Sequence, residues 1–323
     1  MAWKAEQDVK TMKDAYTETM LALFAKDSRI MALNADLMNS DGTAAVQQQY
    51  PERVINVGVQ EANMIGFGAG LALAGKIPFT HTFACFNGRR ALDQIFISVA
   101  YSRLPVKIVG TDPGITSAFN GGTHMPFEDM GCMRTVPEMI IVEMVDQAML
   151  ENFLPKLTYV DKPVYIRLSR KETIKIYEPG TEFEIGRGKL IRHGQDATIV
   201  CSGLMVAESL EAANTLAEQG IDVQVVNIFC LKPLDRDLLL QCAQTTGAVV
   251  TAENHSVNNG LGSAVAEVLA EGCPVPMERV GVHDRFGEVG DVQYLKETFG
   301  MTADHIAAAV ERVVKRKQER SSC

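Results

Sequence analysis

The feature that most constrains this chain is a repeated alternation of short, uninterrupted apolar runs with helical segments. The runs "RIMALNAD", "RVINVGV", "IPFTHTF", "LPVKIVGT", "MIIVEM" and "PVYIRLS" follow one another through its first half. Helices are expected between them, at 14–25, 62–74, 89–101 and 146–158. A strand that is apolar at every position is covered on both faces, and intervening helices supply that cover, so the pattern predicts a parallel sheet between helical layers. At "YEPGTEFEIGRGK" (177–189) the alternation gives way to Gly, Pro and charged residues, which reads as a linker. A second series then runs through "DATIVCSG", "IDVQVVNI", "GAVVTAEN" and "MERVGV", with helices between them and two more at the end. The expected fold class is α/β, with two consecutive domains, each a largely parallel sheet covered by helices: 1–176, the linker 177–189, and 190–323. The basic end "ERVVKRKQERSSC" reads as a solvated helix end followed by a frayed tail.

Composition narrows the function classes. Hydrophobic residues make up 46% and charged residues 22%, a globular balance. With 31 basic against 40 acidic residues the formal charge is −9, which argues against a nucleic-acid or anionic-membrane surface as the main purpose. The longest apolar run, Met64–Gly75, is too short to span a bilayer. The opening "MAWKAEQDVK" has no apolar core, so no secretory signal is expected. Seven cysteines at 85, 132, 201, 230, 242, 273 and 323 form no C-x-x-C pair, which argues against zinc and against a disulfide framework and favours a reduced, cytoplasmic protein.

The common nucleotide and hydrolase motifs are missing. Gly66, Gly68 and Gly70 give G-x-G-x-G, whose last interval is wrong for a dinucleotide fingerprint, and they read better as helix–sheet packing. No P-loop, H-E-x-x-H or G-x-S-x-G occurs.

A different constellation remains. Glu61 follows the strand of "VINVGVQEANMIGFGAGLALAG" and opens a helix with almost no other charge. Such a carboxylate can simply compensate the helix dipole. "THTFACFNGRR" then places Phe83 and Phe86 just after a strand, followed by Arg89 and Arg90. The long loop "TDPGITSAFNGGTHMPFED" carries His124 with the acids Glu128 and Asp129. Loops at strand C-termini are where α/β proteins keep their sites. A carboxyl, two flat apolar rings and a histidine at one sheet edge suit a flat heteroaromatic cofactor.

These stretches, with "NGGTH" and "YIRLSR", resemble in order and spacing the pyrimidine-binding domain of transketolases. "TAENHSVNNGLGSAVAEVLAEG" and "VGVHDRFGEVG" are similar to the C-terminal domain of the same enzymes. The G-D-G motif with its later Asn, which in thiamine-diphosphate enzymes holds the Mg²⁺ that bridges the diphosphate, does not occur, and Met1 falls where full-length transketolases leave that domain. The resemblance therefore implies the C-terminal subunit of a split transketolase. It also implies thiamine diphosphate as cofactor, Mg²⁺ bound mainly by an N-terminal partner subunit, no metal ligand in this chain, and an α₂β₂ assembly. Glu61 would hydrogen-bond N1′ of the aminopyrimidine and share a proton with it, burial working against the charged carboxylate. The 4′-nitrogen then takes the thiazolium C2 proton, and a two-carbon unit passes from a ketose to an aldose. Phe83 and Phe86 match the aromatics on the pyrimidine, His124 the histidine at the donor's C1 hydroxyl, Asp36 an acid near the thiazolium, and Arg89 a residue of the pyrimidine pocket.

Departures from the family pattern bear on the substrate. Ser40 and Arg170 match two residues that hold the substrate phosphate in phosphosugar transketolases, but ungapped counting puts Met12 where a helix Arg stands and Asp112 where a loop His stands. Asn120 replaces the Asp that contacts the sugar's 2-hydroxyl. Two lost cationic partners remove charge-assisted hydrogen bonds worth roughly 1.5–3 kcal/mol each, and an aspartate repels a phosphate. Either the substrate is not an ordinary pentose phosphate, or its anionic group is held by Arg89, Arg90 or the partner chain. Competing readings are the β-subunit of a 2-oxoacid dehydrogenase E1 component, a deoxyxylulose-phosphate synthase fragment, and a non-catalytic scaffolding subunit.

Overall fold

Strands buried on both faces dominate the architecture. A computed structural model describes residues 2–171 and 173–321, so Met1, Glu172, Ser322 and the seventh cysteine, Cys323, lie outside it. Among the described residues the strands are β1 (Ile30–Asn34), β2 (Val54–Asn56), β3 (Ile77–Phe83), β4 (Lys107–Thr111), β5 (Ile140–Glu143), β6 (Val164–Leu168), β7 (Lys189–Arg192), β8 (Ala197–Cys201), β9 (Val223–Asn227), β10 (Cys230–Lys232), β11 (Val249–Ser256) and β12 (Met277–Val282). The first sheet has the order β10-β5-β6-β4-β3-β1-β2 and the second β12-β11-β8-β9-β7. Both are parallel except at one edge strand each, β10 against β5 and β7 against β9. The chain is thus α/β with two mostly parallel sheets flanked by helices.

The apolar runs read from sequence form these strands, because β1, β4, β5, β6, β8 and β9 are buried at every position. Each fully buried Val, Leu or Ile contributes about 1.5–3 kcal/mol, so the central strands anchor the core. β10 carries no such signal. Three residues, "CLK", leave the second half of the chain and add an antiparallel edge to the first sheet. The 177–189 segment is pinned as well: buried Phe183 packs on Tyr177, Phe153 and Phe229 at ring-centroid distances of 4.9, 5.9 and 5.3 Å.

Several local expectations change. The single helix expected at 89–101 is instead the helix Ala84–Arg89, a short turn Leu92–Gln94, and a π-helix Ile95–Tyr101. The break falls where Arg90 and Ala91 both donate to the Phe86 carbonyl. Of the three glycines in the helix Glu61–Leu73, only Gly68 meets the sheet, where a Cβ would sit 3.1 Å from Thr80; Gly66 and Gly70 face open space. The C-terminal helix Ala303–Ser321 is not merely solvated, because the Lys317 ammonium donates to the carbonyls of Asp196 and Thr246 at 3.0 and 2.6 Å.

Candidate active site

Register brings the ends of several strands level. Asn34 pairs with His81, Phe83 with Thr111, and Thr111 with Leu168. Asp36, Phe86, Asp112 and Arg170 each follow their strand by no more than three residues, so the parallel sheet places all four at one carboxyl edge.

Glu61 opens its helix with its side chain 1% exposed and accepts a hydrogen bond from Arg90 Nη1 at 2.7 Å. A desolvated carboxylate needs a proton or a counter-charge, and Arg90 supplies the counter-charge. The helix N-terminus adds a further favourable field. Only Oε2 is engaged, which leaves Oε1 without a hydrogen bond among the described residues. The Arg90 guanidinium also lies over the Phe86 ring, 4.6 Å from its centroid.

Phe83, Phe86 and His124 form an aromatic triangle. Ring centroids lie 6.2 Å apart for Phe83–Phe86, 5.7 Å for Phe83–His124 and 5.4 Å for Phe86–His124, with the imidazole edge-on to both phenyl rings. Phe83 also meets Arg170, whose guanidinium carbon is 5.1 Å from the ring centroid. Arg170 Nε donates to Asp112 Oδ2 at 2.9 Å, Nη2 donates to the same oxygen, and Nη1 donates to the Ser40 carbonyl at 3.2 Å. Unbroken contact therefore runs from Glu61 through Arg90, Phe86, His124, Phe83 and Arg170 to Asp112 and Ser40.

Other expected residues stand apart from this run. Asp36 is exposed, at φ 64°, and its carboxylate accepts from Asn56 at 2.8 Å. Asn120 is exposed at the end of the 3₁₀ segment Gly114–Asn120 and makes no side-chain hydrogen bond among the described residues. Arg89 commits its donors to the glycine-rich loop, namely Glu128 and the carbonyls of Thr123 and Met125 at 2.8 and 3.0 Å. It braces the loop that carries His124. Asp112 is not a lone repulsive charge, because Arg170 pairs with it.

Three relevant residues were not assigned these roles from sequence. The sequence offers Arg90 only as a partner for the substrate's anionic group, not for Glu61. Lys13 is the neighbour of fully buried Met12, and its backbone N–H donates to the Arg170 carbonyl at 3.2 Å. A Cβ on Gly42 would lie 3.2 Å from Lys13 Cγ, so the lysine stem passes beside Gly42. Its ammonium has no partner among the described residues. The third is Asn254, from β11 of the second sheet. Its Nδ2 donates to the Pro113 carbonyl at 3.0 Å and its Oδ1 accepts from Ile115 N–H at 2.9 Å. Gly114, at φ 52° between them, has no room for a side chain, since a Cβ would fall 2.1 Å from Asn254 Oδ1.

Behind that clasp lies a closed ion cluster. Arg167, fully buried, donates to Asp129 through Nε and Nη2 at 2.9 and 3.1 Å, to Glu143 through Nη1 at 2.6 Å, and to the Asn254 carbonyl at 2.8 Å. Tyr165 and Ser202 donate to the same two carboxylates. Burial alone would raise the Asp129 carboxyl, but Arg167, His255 and the hydrogen bonds outweigh it and hold it below its ordinary value.

The two halves of the chain match two adjacent family models, the transketolase pyrimidine-binding domain over residues 8–175 and the transketolase C-terminal domain over 186–306. The chain belongs to the transketolase family. It is 52% identical over 309 residues to the 6-deoxy-6-sulfo-D-fructose transketolase subunit SqwH of Clostridium sp. (strain MSTE9), covering 96% of each chain. It is 39% identical to a putative transketolase C-terminal section of Methanocaldococcus jannaschii, covering 95% of this chain and 98% of that one. Among solved structures it superimposes with a TM-score of 0.87 on a split-gene transketolase described as an inactive β4 tetramer, at 42% identity over 95% of this chain and 99% of the other. This transketolase subunit has no helix, among its described residues, long and apolar enough to cross a membrane. Nor do those residues include a group of three or more His, Cys, Asp or Glu side chains placed to hold a metal ion.

Proposed function

We propose that this chain is one subunit of a two-chain transketolase whose donor is a ketose with a terminal sulfonate, of the kind named for the Clostridium relative. An N-terminal subunit would carry the diphosphate and Mg²⁺ site, and the two would assemble as α₂β₂. The observation that carries this reading is the unbroken contact from Glu61 to Asp112 and Ser40, with a buried acid at one end and a part-compensated cation at the other.

Thiamine diphosphate, when bound, supplies the carbon nucleophile that carries the two-carbon unit. The residues present fit its aminopyrimidine, because Glu61 offers an unengaged Oε1 and is joined through Arg90 to the Phe83–Phe86 pair. Glu61 shares a proton at N1′, and Arg90 holds the carboxylate in place while it does so. Phe83 and Phe86 exclude water from the ring. His124, wedged between them, binds the donor near its C1 hydroxyl. Arg170 and Ser40 hold the terminal anion, with Lys13 as the second cation that the sequence lacked at Met12. Arg89 and Asn254 keep the loop of Asn120 and His124 in position.

Reconstitution with the N-terminal partner, thiamine diphosphate and Mg²⁺ tests this. Ketol transfer from 6-deoxy-6-sulfo-D-fructose to an aldose phosphate is expected, with loss of at least about 100-fold in kcat on Glu61→Ala. Transfer only from pentose phosphates would remove the sulfonate, and turnover unchanged by Glu61→Ala would leave a scaffolding role.

A further inference from the structure

We infer that Asp112 is a charge filter that sets this subsite for a singly charged terminal group and against a doubly charged one. The inference rests on the proposed function, since it takes Arg170 and Ser40 to be where the substrate's anionic end docks. A sulfonate and a phosphonate or phosphate are similar tetrahedral groups, and near neutral pH they differ most in charge, the sulfonate keeping one negative charge and the others approaching two.

The charges around Ser40 match the first case. Arg170 donates to the Ser40 carbonyl, and the stem of a second cation, Lys13, passes beside Gly42, two residues on. Asp112 cancels one of them directly, with both Nε and Nη2 of Arg170 on its Oδ2. Its other oxygen, Oδ1, is buried and takes no hydrogen bond, so no other donor shares the carboxylate's charge. Asp41, next to Ser40, is buried with both oxygens bonded inward to Asn34 and Thr43, so those donors meet its charge and Asp112 is the carboxylate paired with Arg170. His124 stands across the Phe83 ring, and Lys171 is exposed and lines a neighbouring cavity with Gln7, Phe119 and Ile174. A monoanion can be balanced by the cation that Asp112 leaves over. A second negative charge would have no counterpart, and it would face the Asp112 carboxylate where solvent is largely excluded, Arg170 being only 17% exposed.

Asp112 is also built in rather than incidental. It sits at φ 52°, one residue past β4, a conformation that Asp and Asn tolerate better than most side chains. Its N–H donates to the Leu168 carbonyl and its carbonyl accepts from Ser117, so the backbone that carries the carboxylate is fixed from both sides.

The test compares two donors that share a carbon skeleton, 6-deoxy-6-sulfo-D-fructose and its phosphonate isostere, on the assembled two-chain enzyme. Asp112→Asn keeps the shape and the positive φ while removing the charge; Asp112→Gly is the second variant, and thermal melting of the complex checks that each has folded. The ratio of kcat/KM for phosphonate over sulfonate is expected to rise about tenfold or more in both variants. In the wild type the same ratio should fall as pH rises and the phosphonate takes its second charge, and this dependence should flatten in Asp112→Asn. Folded variants that leave the ratio unchanged while the wild type still uses the sulfonate would overturn the filter alone. A wild type that turns over neither donor would overturn the functional reading and the filter with it.

Discussion

Two arginines three residues apart, one on β6 and one just beyond it, have opposite surroundings. Arg167 is fully buried and meets two carboxylates and a carbonyl, each well aligned. Arg170 is part exposed, shares one carboxylate oxygen and one carbonyl, and lies across an aromatic ring. The difference is one of saturation. Where every donor has a buried partner, nothing remains to bind a ligand, and the residue joins the two sheets. Where donors are only partly used and the face is open, the same side chain can receive a substrate.

The same substitution at both positions should separate the two roles most clearly. Arg167→Lys gives one ammonium the work of a fork and strands at least one buried carboxylate, at a cost of about 3–5 kcal/mol. A melting transition lost or greatly lowered is expected, and an unchanged one would mean the cluster is less closed than its distances indicate. Arg170→Lys should instead leave melting nearly unchanged and lower kcat/KM for the anionic donor by about 10- to 100-fold, mostly through KM, as loss of a charge-assisted fork predicts. An equal loss for a donor lacking the terminal anion would place Arg170 with Arg167 as a structural residue.

Lys107 sharpens the comparison with a smaller effect. It is buried like Arg167 but its ammonium donates only to carbonyls, those of Pro105, Val160 and Lys162 at 2.9, 2.6 and 3.3 Å. Burial lowers its pKa to about 7. The unfolded chain then binds more protons than the folded one between that value and the unperturbed ~10.4, so this group's penalty relaxes as pH rises through the window. The stability of wild type relative to Lys107→Met should therefore increase by about 1 kcal/mol per pH unit from 7 to 9, measured by denaturant titration. A flat difference would show that the ammonium stays charged in the fold.

Much of this was legible in the sequence. Strands covered on both faces announce themselves as unbroken apolar runs, and residues just past such strands must share an edge once the sheet is parallel. That logic brings Glu61, Phe83, Phe86 and His124 to one edge, whereas Arg170 comes only from the resemblance to the family. It could not give the Glu61–Arg90 pair, which depends on the helix breaking at Arg90. Nor could it give Asn254, which reaches Pro113 across 141 residues of chain. Lys13 was hidden by counting, because a shift of one residue along a helix turns a buried methionine into a half-exposed lysine. Pairings of this kind arise from packing between elements, and single-element patterns carry no record of them.

β10 has a consequence for how the molecule can be taken apart. Three residues of the second half complete the first sheet, so the two halves are not interchangeable modules on a hinge. A cut at 177–189 would expose the backbone of β5 along a bare edge, a template for any strand that can reach it. The nearest suitable strand would be the same three residues of another copy, and severed halves would be expected to find each other by exchanging that strand.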